Sequence, residues 1–303
     1  MASFGLKVIR GLFGAAEHVA PRLAGRAAFE LFSRTPSRRS LTGGERRAIE
    51  RAGDFMDEAR HHRLKTGSGC VMLHEFRPEP GRPRIGTVLV LHGWRSRTEY
   101  MRSLVEGFCH AGYRVMALDF PGHGQSPGRR LNMVNAVDAA RAAGEWFGPF
   151  AAVVGHSFGG AVAVNAVVGS VAGIPPLAAE RLVLISAPEA MQKLFEGFSR
   201  FVNLGRRTYA SMTGKVERIS GRPLSEFTCS RQLSVMPVPT LVIHAPDDRE
   251  VPADNARMFA TAGEHVRLFW ADGLGHRRIL SDPAVVEKAV GFLAERREPA
   301  LVH

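Results

Sequence analysis

Short, strand-like segments dominated by apolar residues alternate along this chain with segments in which apolar residues recur every three or four positions. The strand-like segments occupy residues 71–76, 87–91, 113–118, 151–154, 182–185, 240–244 and 266–270. The segments with helical spacing occupy residues 97–111, 131–146, 158–169 and 283–296. Uninterrupted apolar runs rich in β-branched residues are typical of strands that are buried on both faces. Their alternation with helices predicts an α/β fold with a mostly parallel central sheet and helices on both faces.

The first part of the chain has a different pattern. Helical spacing predicts helices at 5–13 and 22–33, and a polar turn leads into a third helix at about 44–60. We therefore interpret residues 1–67 as a helical N-terminal extension and residues 68–303 as the main domain. The first helices are basic and amphipathic, which leaves two interpretations. We favour an arm packed on the body of the protein, and the alternative is a weak peripheral contact with a membrane.

A long segment interrupts the alternation of strands and helices. About fifty residues separate the strand at 182–185 from the strand at 240–244, which is too long for a simple loop. The segment is rich in aromatic and aliphatic residues, and it predicts a small, mostly helical cap at about 187–236. Clefts in open α/β sheets form at the carboxyl ends of the strands, where we expect this cap to lie.

A sharp turn with a serine at its centre follows the strand at 151–154. The sequence Gly155-His156-Ser157-Phe158-Gly159 matches the G-x-S-x-G pattern of a nucleophile elbow, between a strand and a helix as that motif requires. A serine hydroxyl is a weak nucleophile unless a neighbouring base takes its proton. Ser157 is therefore the candidate nucleophile of a site that also needs a base.

A histidine and a pair of aspartates follow two later strands. His276 lies in a glycine-rich loop after the strand at 266–270, and Asp247 and Asp248 follow the strand at 240–244. A histidine oriented by a carboxylate is the base that activates a serine in hydrolytic enzymes. The residues themselves leave open which aspartate acts.

Five motifs in order make the chain resemble the α/β hydrolase superfamily from about residue 69 to residue 296. They are His92-Gly93-Trp94, Asp119 to Ser126, the elbow Gly155 to Gly159, Asp248 to Pro252 and Gly273 to His276. The resemblance points to the branch with a serine nucleophile, which includes esterases and lipases. Branches of the family with aspartate at the elbow, such as haloalkane dehalogenases and epoxide hydrolases, do not match.

The resemblance implies a role for each residue of the site. Ser157 would be the nucleophile, His276 the general base and Asp248 the carboxylate that orients it. The spacing to the Val-Pro pair in the family favours the second of the two aspartates. The backbone N–H groups of Trp94 and Phe158 would form the oxyanion hole.

The expected reaction is hydrolysis of a small-molecule carboxylic ester through an acyl-enzyme, with an apolar acyl or alcohol group in the substrate. A thioesterase and an enzyme similar to lysophospholipases or monoglyceride lipases remain alternatives, because the same residues would serve them. A non-catalytic binding protein on the same fold is the alternative from another class. No organic cofactor is implied, and His61-His62 has no partner at metal-ligand spacing, so no metal is expected.

Composition and charge further narrow the class of protein to which this chain can belong. Hydrophobic residues make up 45% and charged residues 23% of the 303 residues, an ordinary globular balance. The net charge is +11, and residues 1–65 carry thirteen Lys and Arg against seven Asp and Glu. These basic residues are scattered and accompany no nucleic-acid-binding motif, so we expect no nucleic-acid partner. The composition leaves the oligomeric state open.

Cysteine use and the first residues bear on location. Cys70, Cys109 and Cys229 form no C-x-x-C pair, and an odd number of cysteines does not suggest a disulfide scaffold. Lys7 and Arg10 interrupt the apolar stretch that a signal peptide would need. No apolar run reaches the roughly 18 residues that span a bilayer. We therefore expect a cytoplasmic protein with free thiols.

Overall fold

The chain folds around a central β-sheet in the computed structural model, which describes residues 4–36, 41–79 and 81–295. The strands in this part of the chain are β1 (Arg60–Thr66), β2 (Gly69–Phe76), β3 (Gly86–Leu91), β4 (Tyr113–Asp119), β5 (Ala152–His156), β6 (Leu182–Ile185), β7 (Thr240–His244) and β8 (Val266–Trp270). Their order across the sheet is β1-β2-β4-β3-β5-β6-β7-β8. Neighbouring strands from β4 to β8 are parallel, and β2 is antiparallel to both β1 and β4. This sheet confirms the predicted fold class.

The helices of the described residues fall into an N-terminal group, a group that covers the sheet and a group inserted between β6 and β7. The N-terminal group is α1 (Phe4–Val19), α2 (Pro21–Phe32), α3 (Gly43–Arg51) and α4 (Gly53–Asp57). Three helices that alternate with the strands along the chain cover the sheet: α5 (Arg102–His110), α6 (Met133–Phe147) and α7 (Phe158–Val168). The inserted group is α8 (Met191–Val202), α9 (Arg206–Ser220) and α10 (Cys229–Val235). The chain continues with α11 (Asp254–Ala260), α12 (Gly275–Arg278) and α13 (Pro283–Ala294).

The uninterrupted apolar runs arise because both faces of the sheet are covered. In β3, Leu89 and Leu91 face the core that contains α6 and α7. Val88 and Val90, on the other face, belong to the core that contains α5 and α13. Successive strand residues point to opposite faces, so a strand buried on both sides needs an apolar residue at every position.

The end of the segment interpreted as a helical extension is not helical, because Arg60–Thr66 form the edge strand β1. The helix predicted at 44–60 is two short helices, α3 and α4. Apart from buried Leu64, the side chains of β1 are polar or basic, so the segment lacks the apolar run of a central strand. The two-residue turn at 67–68, which joins β1 to β2 as a hairpin, is the local signal that identifies this strand.

The first two helices pack on the inserted helices. Helix α2 packs closely on α9, where a Cβ atom on Gly25 would lie 2.5 Å from Cβ of Ser211. The Glu17 carboxylate of α1 accepts hydrogen bonds from the backbone N–H groups of Arg207 (2.8 Å) and Thr208 (2.9 Å). These two N–H groups belong to the first turn of α9, which has no cap from its own preceding residue. The N-terminal segment therefore takes part in the structure of the cap.

Two further observations concern the state of the cysteines and whether a helix could span a membrane. Cys70, Cys109 and Cys229 are free thiols. Within the ranges that the structure describes, no helix is both long enough and apolar enough to cross a bilayer.

Candidate active site

Ser157 lies in a strained turn between β5 and α7, with φ +53° and ψ −124°. A non-glycine residue with positive φ is uncommon and persists only where the surrounding structure holds it. The flanking glycines explain how the turn fits. A Cβ atom on Gly155 would lie 2.4 Å from the carbonyl oxygen of Gly159, and a Cβ atom on Gly159 would lie 2.3 Å from that of Leu91. The G-x-S-x-G pattern is thus a requirement of close backbone packing around the serine.

Asp248 and His276 form a buried hydrogen-bonded pair. His276 Nδ1 lies 2.8 Å from Oδ2 of Asp248. The other carboxylate oxygen, Oδ1, accepts the backbone N–H groups of Glu250 and Val251, each at 2.9 Å. Burial by itself raises the pKa of Asp248, but the hydrogen bonds from His276 and Val251 outweigh it and lower the pKa to about 2. The carboxylate is therefore ionised, which places a proton on Nδ1 and leaves Nε2 of the imidazole free to accept one.

Ser157 and His276 line the same cavity. No hydrogen bond joins their side chains, although both residues lie within the described part of the chain. Catalytic hydrogen bonds of enzymes without substrate are often long and shorten only when substrate binds. The imidazole Nε2 also lies 3.9 Å from Oε2 of Glu250, a half-exposed carboxylate on the cavity wall. The structure thus brings Asp248 and His276 into contact and places the Ser157 hydroxyl in the cavity that His276 faces.

Two backbone N–H groups beside Ser157 have no acceptor among the described residues. They belong to Trp94, in the turn after β3, and to Phe158, the first residue of α7. The turn after β3 is close to the elbow, since a Cβ atom on Gly93 would lie 3.0 Å from Cβ of Ser157. The rings of Trp94 and Phe158 meet edge to face with centroids 5.8 Å apart, and both line the cavity. The positive end of the α7 dipole also points to this position.

Asp247 contacts the histidine loop at a different point. Its Oδ1 accepts the backbone N–H of Gly275 at 3.2 Å, whereas its neighbour Asp248 contacts the His276 imidazole. Gly275 has φ +61°, a conformation that glycine adopts without strain. Adjacent aspartates therefore hold the same loop, one by the backbone and one by the side chain.

His156 is a contributor to the site that sequence reasoning missed. Its Nε2–H donates to the carbonyl oxygen of His276 at 2.9 Å, and the two rings lie 4.8 Å apart. Burial lowers the pKa of His156 to about 3, so its ring is neutral. Its position inside the elbow motif was visible in the sequence, but no local pattern indicates that it contacts a loop 120 residues away.

Two further histidines hold the turns around the site. His92 Nε2 accepts the backbone N–H of Phe120, and His123 Nε2 accepts that of Arg95, each at 3.1 Å. Burial lowers the pKa of both rings, that of His123 to about 3. Both histidines therefore act as neutral acceptors, His123 for the backbone next to Trp94 and His92 for the turn after β4.

The cavity in front of Ser157 has a volume of about 440 Å³ and mostly apolar walls. The cavity lies between helix α2, the inserted helices and the loops at the carboxyl ends of the strands. The apolar wall residues outside the elbow are Phe29, Leu31, Phe32, Trp94, Leu131, Met133, Val134, Pro188, Met191, Leu194, Phe195, Phe198, Val216, Ile219, Leu224, Phe227 and Val251. Phe32 of α2 packs against Phe195 and Phe198 of α8, with centroids 4.4 and 5.2 Å away. The N-terminal segment therefore forms one wall of the candidate site.

The paired histidines His61 and His62 have partners on the neighbouring strand. Nδ1 of His61 lies 2.8 Å from Nδ1 of His74, and Nε2 of His62 lies 2.8 Å from Oε2 of Glu75. In the ranges that the structure describes, no group of three or more His, Cys, Asp and Glu side chains is arranged to hold a metal ion.

The sequence profile of the alpha/beta hydrolase family matches residues 88–289, a range that contains the elbow, the aspartate pair and the histidine loop. This chain belongs to that family. The match begins within β3 and ends within α13, so it leaves out the N-terminal helices that form one wall of the cavity.

Two curated relatives and one solved structure illustrate how distant the similarities are. A non-heme haloperoxidase of Rhodococcus erythropolis is 28% identical over 242 residues, covering 65% of this chain and 86% of the relative. A pimeloyl-[acyl-carrier protein] methyl ester esterase of Xanthomonas campestris is 27% identical over 242 residues, covering 67% and 92%. A thermophilic esterase of Thermogutta terrifontis has a TM-score of 0.59 at 18% identity, covering 80% of this chain and 97% of that one. At that identity the structural similarity concerns the fold.

Proposed function

We propose that this member of the alpha/beta hydrolase family hydrolyses carboxylic esters with an apolar acyl or alcohol group, with Ser157, His276 and Asp248 as its catalytic triad. The observation that carries the proposal is the hydrogen bond from the ionised Asp248 to His276, which lines the same cavity as Ser157. A binding protein would not need an ionised carboxylate beside a histidine at this position. The similarity to an enzyme named as a methyl ester esterase supports the same chemistry.

The proposed reaction begins with attack of the Ser157 hydroxyl on the ester carbonyl carbon. His276 takes the hydroxyl proton on Nε2 and then gives it to the alkoxide that leaves. The product is an acyl-enzyme on Ser157, which a water molecule hydrolyses by the same two proton transfers. Asp248 keeps the Nδ1 proton in place and stabilises the imidazolium that forms in each step.

The backbone N–H groups of Trp94 and Phe158 are the proposed donors to the oxyanion. Both lack an acceptor among the described residues, so neither must break a hydrogen bond before it binds the developing charge. A donor of this kind contributes about 3–4 kcal/mol to stabilising the transition state. The position of Phe158 at the start of α7 adds the favourable end of the helix dipole.

The cavity supports an apolar substrate group. Aromatic and aliphatic side chains make up most of its wall, and its volume lies in the usual range for small-molecule sites. Burial of apolar groups contributes about 25 cal/mol per Å² to binding. An acyl chain or an alcohol group with several carbons would therefore bind more tightly than acetate or methanol.

The test is an activity screen on p-nitrophenyl esters of increasing acyl length, with the matching acyl thioesters in parallel. We expect ester hydrolysis that rises from acetate to longer chains and disappears in Ser157→Ala. Ser234→Ala, in which an exposed serine of α10 is replaced, is the matched control and should retain full activity. Faster turnover of thioesters than of esters would favour the thioesterase alternative.

Labelling with a fluorophosphonate separates an enzyme from a binding protein. The reagent forms a covalent bond with an activated serine, so we expect labelling of the folded wild type and none of Ser157→Ala. Folded wild-type protein that neither reacts with the reagent nor hydrolyses any ester would contradict the proposal.

A further inference from the structure

Helix α1 has two apolar faces, and only one of them is packed. Successive residues of an α-helix are rotated by about 100°, so residues four apart share a side. Ile9 and Phe13 lie on the side that packs against the hydrophobic core. Phe4, Val8 and Leu12 form a second row beside that packed side, where Phe4 is 82% and Leu12 is 66% exposed.

Helix α2 also carries exposed apolar residues. Ala24 and Phe29 are buried against the cap, whereas Leu23 is 64% exposed and Leu31 is also exposed. We use the name outer strip for the exposed apolar residues of the two helices, which are Phe4, Val8, Leu12, Val19, Leu23 and Leu31. Single exposed apolar residues are normal, but six large ones on two consecutive helices are typical of an interaction surface.

Both helices that carry the outer strip also carry exposed basic side chains. Lys7 and Arg10 of α1 and Arg22 and Arg26 of α2 are exposed, and none of the four forms an ion pair with another described residue. Exposed apolar residues on helices that also carry unpaired cations are complementary to a membrane surface that contains anionic lipids. A second copy of the same surface would instead bring these like charges together.

The outer strip also reaches the candidate active site. Leu31, its last member, is exposed and at the same time lines the cavity in front of Ser157. A bilayer in contact with the strip would therefore lie beside the entrance to that cavity. This continuity distinguishes the strip from an apolar surface elsewhere on the protein.

We propose that the outer strip is a docking surface for membranes that contain anionic lipids. In this arrangement α1 and α2 lie along the membrane, with their apolar side chains among the acyl chains and their basic side chains among the headgroups. The surface binds the bilayer without crossing it. The proposal does not depend on the reaction at Ser157, because membrane binding is measured without any substrate.

The experiment is co-sedimentation of the full chain with phosphatidylcholine vesicles, with and without phosphatidylglycerol. We expect binding to the anionic vesicles and weaker binding to the neutral ones. The double variant Leu12→Asp/Leu23→Asp should bind the anionic vesicles at least about tenfold more weakly, because two apolar contacts are lost. Lys7→Gln/Arg22→Gln should reduce the difference between the two vesicle types, since it removes charge and leaves the apolar row intact.

The matched control is Trp146→Asp, which also removes a large exposed apolar side chain. Trp146 is 75% exposed and lies near the C-terminal end of α6. Met133, at the start of the same helix, lines the cavity, so Trp146 is about 20 Å further along α6. We expect the control to sediment like the wild type. All of these substitutions are at exposed positions, and circular dichroism of each variant tests whether it is folded.

Three results would overturn the proposal. The first is no sedimentation of the full chain with anionic vesicles. The second is an equal loss of binding in Trp146→Asp and in Leu12→Asp/Leu23→Asp. The third is a dimer in size-exclusion chromatography that Leu12→Asp/Leu23→Asp dissociates, because the outer strip would then be covered by a second copy of the chain.

Discussion

Nδ1 of His276 lies 2.8 Å from Oδ2 of Asp248, and this hydrogen bond joins two loops that follow neighbouring strands. The carboxylate is itself held by the backbone N–H groups of Glu250 and Val251. Because both partners are fixed, the orientation and the tautomer of the imidazole are determined before a substrate arrives. In the proposed mechanism this leaves Nε2 as the atom that accepts the proton of Ser157.

Replacing Asp248 with asparagine tests this relationship. An amide can present an N–H to Nδ1, which stabilises the wrong tautomer and moves the proton to Nε2. We expect kcat for a p-nitrophenyl ester to fall by roughly four orders of magnitude, as in other triads altered in this way. The matched change Asp247→Asn retains an oxygen acceptor for the Gly275 N–H and should lower kcat by less than about tenfold, since one neutral hydrogen bond replaces a charged one. A larger loss in Asp247→Asn than in Asp248→Asn would show that the acid is assigned to the wrong residue.

The cavity wall predicts how substrate preference can be changed. Leu194 of α8 lines the cavity, whereas Gln192 on the same helix is exposed. Leu194→Trp fills part of the space, so the preferred acyl chain should become shorter, while the rate for the shortest ester changes little. Gln192→Trp adds the same side chain outside the cavity and should leave the profile unchanged. Comparison of kcat/KM across the ester series measures both effects, and an identical profile in Leu194→Trp would place the acyl group elsewhere.

The contact between α2 and α9 predicts a stability difference between two glycines in helices. A Cβ atom on Gly25 would lie 2.5 Å from Cβ of Ser211 and 2.8 Å from the backbone nitrogen of Met212. Gly25→Ala should therefore lower the free energy of unfolding by about 1–3 kcal/mol through overpacking. At Gly197, within α8, a Cβ atom would meet nothing within 4 Å. Gly197→Ala should raise stability by about 0.5–1 kcal/mol, because alanine favours the helix. Urea unfolding measures both, and equal effects would mean that α2 does not pack tightly on the cap.

Buried neutral histidines predict a loss of stability in mild acid. Burial lowers the pKa of His123 and of His156 to about 3, well below the ordinary value of about 6.5. Between these two values the unfolded chain binds a proton at each histidine and the folded protein does not. The contribution of the two neutral histidines to the free energy of unfolding is complete above pH 6.5 and is lost as the pH falls towards 3. Each histidine should lower the free energy of unfolding by about 1 kcal/mol between pH 6 and pH 5.

The carboxylates with lowered pKa affect the free energy of unfolding in a different pH range. The pKa of Glu75 and that of Asp248 are both lowered to about 2, so their stabilising contributions are lost only below about pH 4. The change between pH 6 and pH 5 therefore reports the histidines. Urea unfolding at these pH values measures it, and His123→Asn should reduce the slope by about 1 kcal/mol per pH unit. A variant with the wild-type slope would show that His123 does not resist protonation in the folded state.

The central strands and the elbow could be predicted from sequence because their requirements are local. A strand covered on both faces needs an apolar residue at each position, as Val88 to Leu91 of β3 have. The turn at Ser157 needs small neighbours where α7 approaches the sheet, and the two glycines lie within five residues of each other. The edge strand β1 was missed, because only part of one face is buried and its other positions carry basic side chains.

The sequence by itself determined the fold class, the candidate serine and histidine, and a choice between two adjacent aspartates. Only the tertiary structure decided that Asp248 contacts the imidazole and Asp247 the backbone, that His156 holds the His276 loop, and that α2 forms a wall of the cavity. The spacing of apolar residues and the turn residues indicate only the local environment of each position. Which distant segments meet depends on packing between surfaces that no local pattern pairs, and the contact of α2 with α9, nearly two hundred residues along the chain, is of that kind.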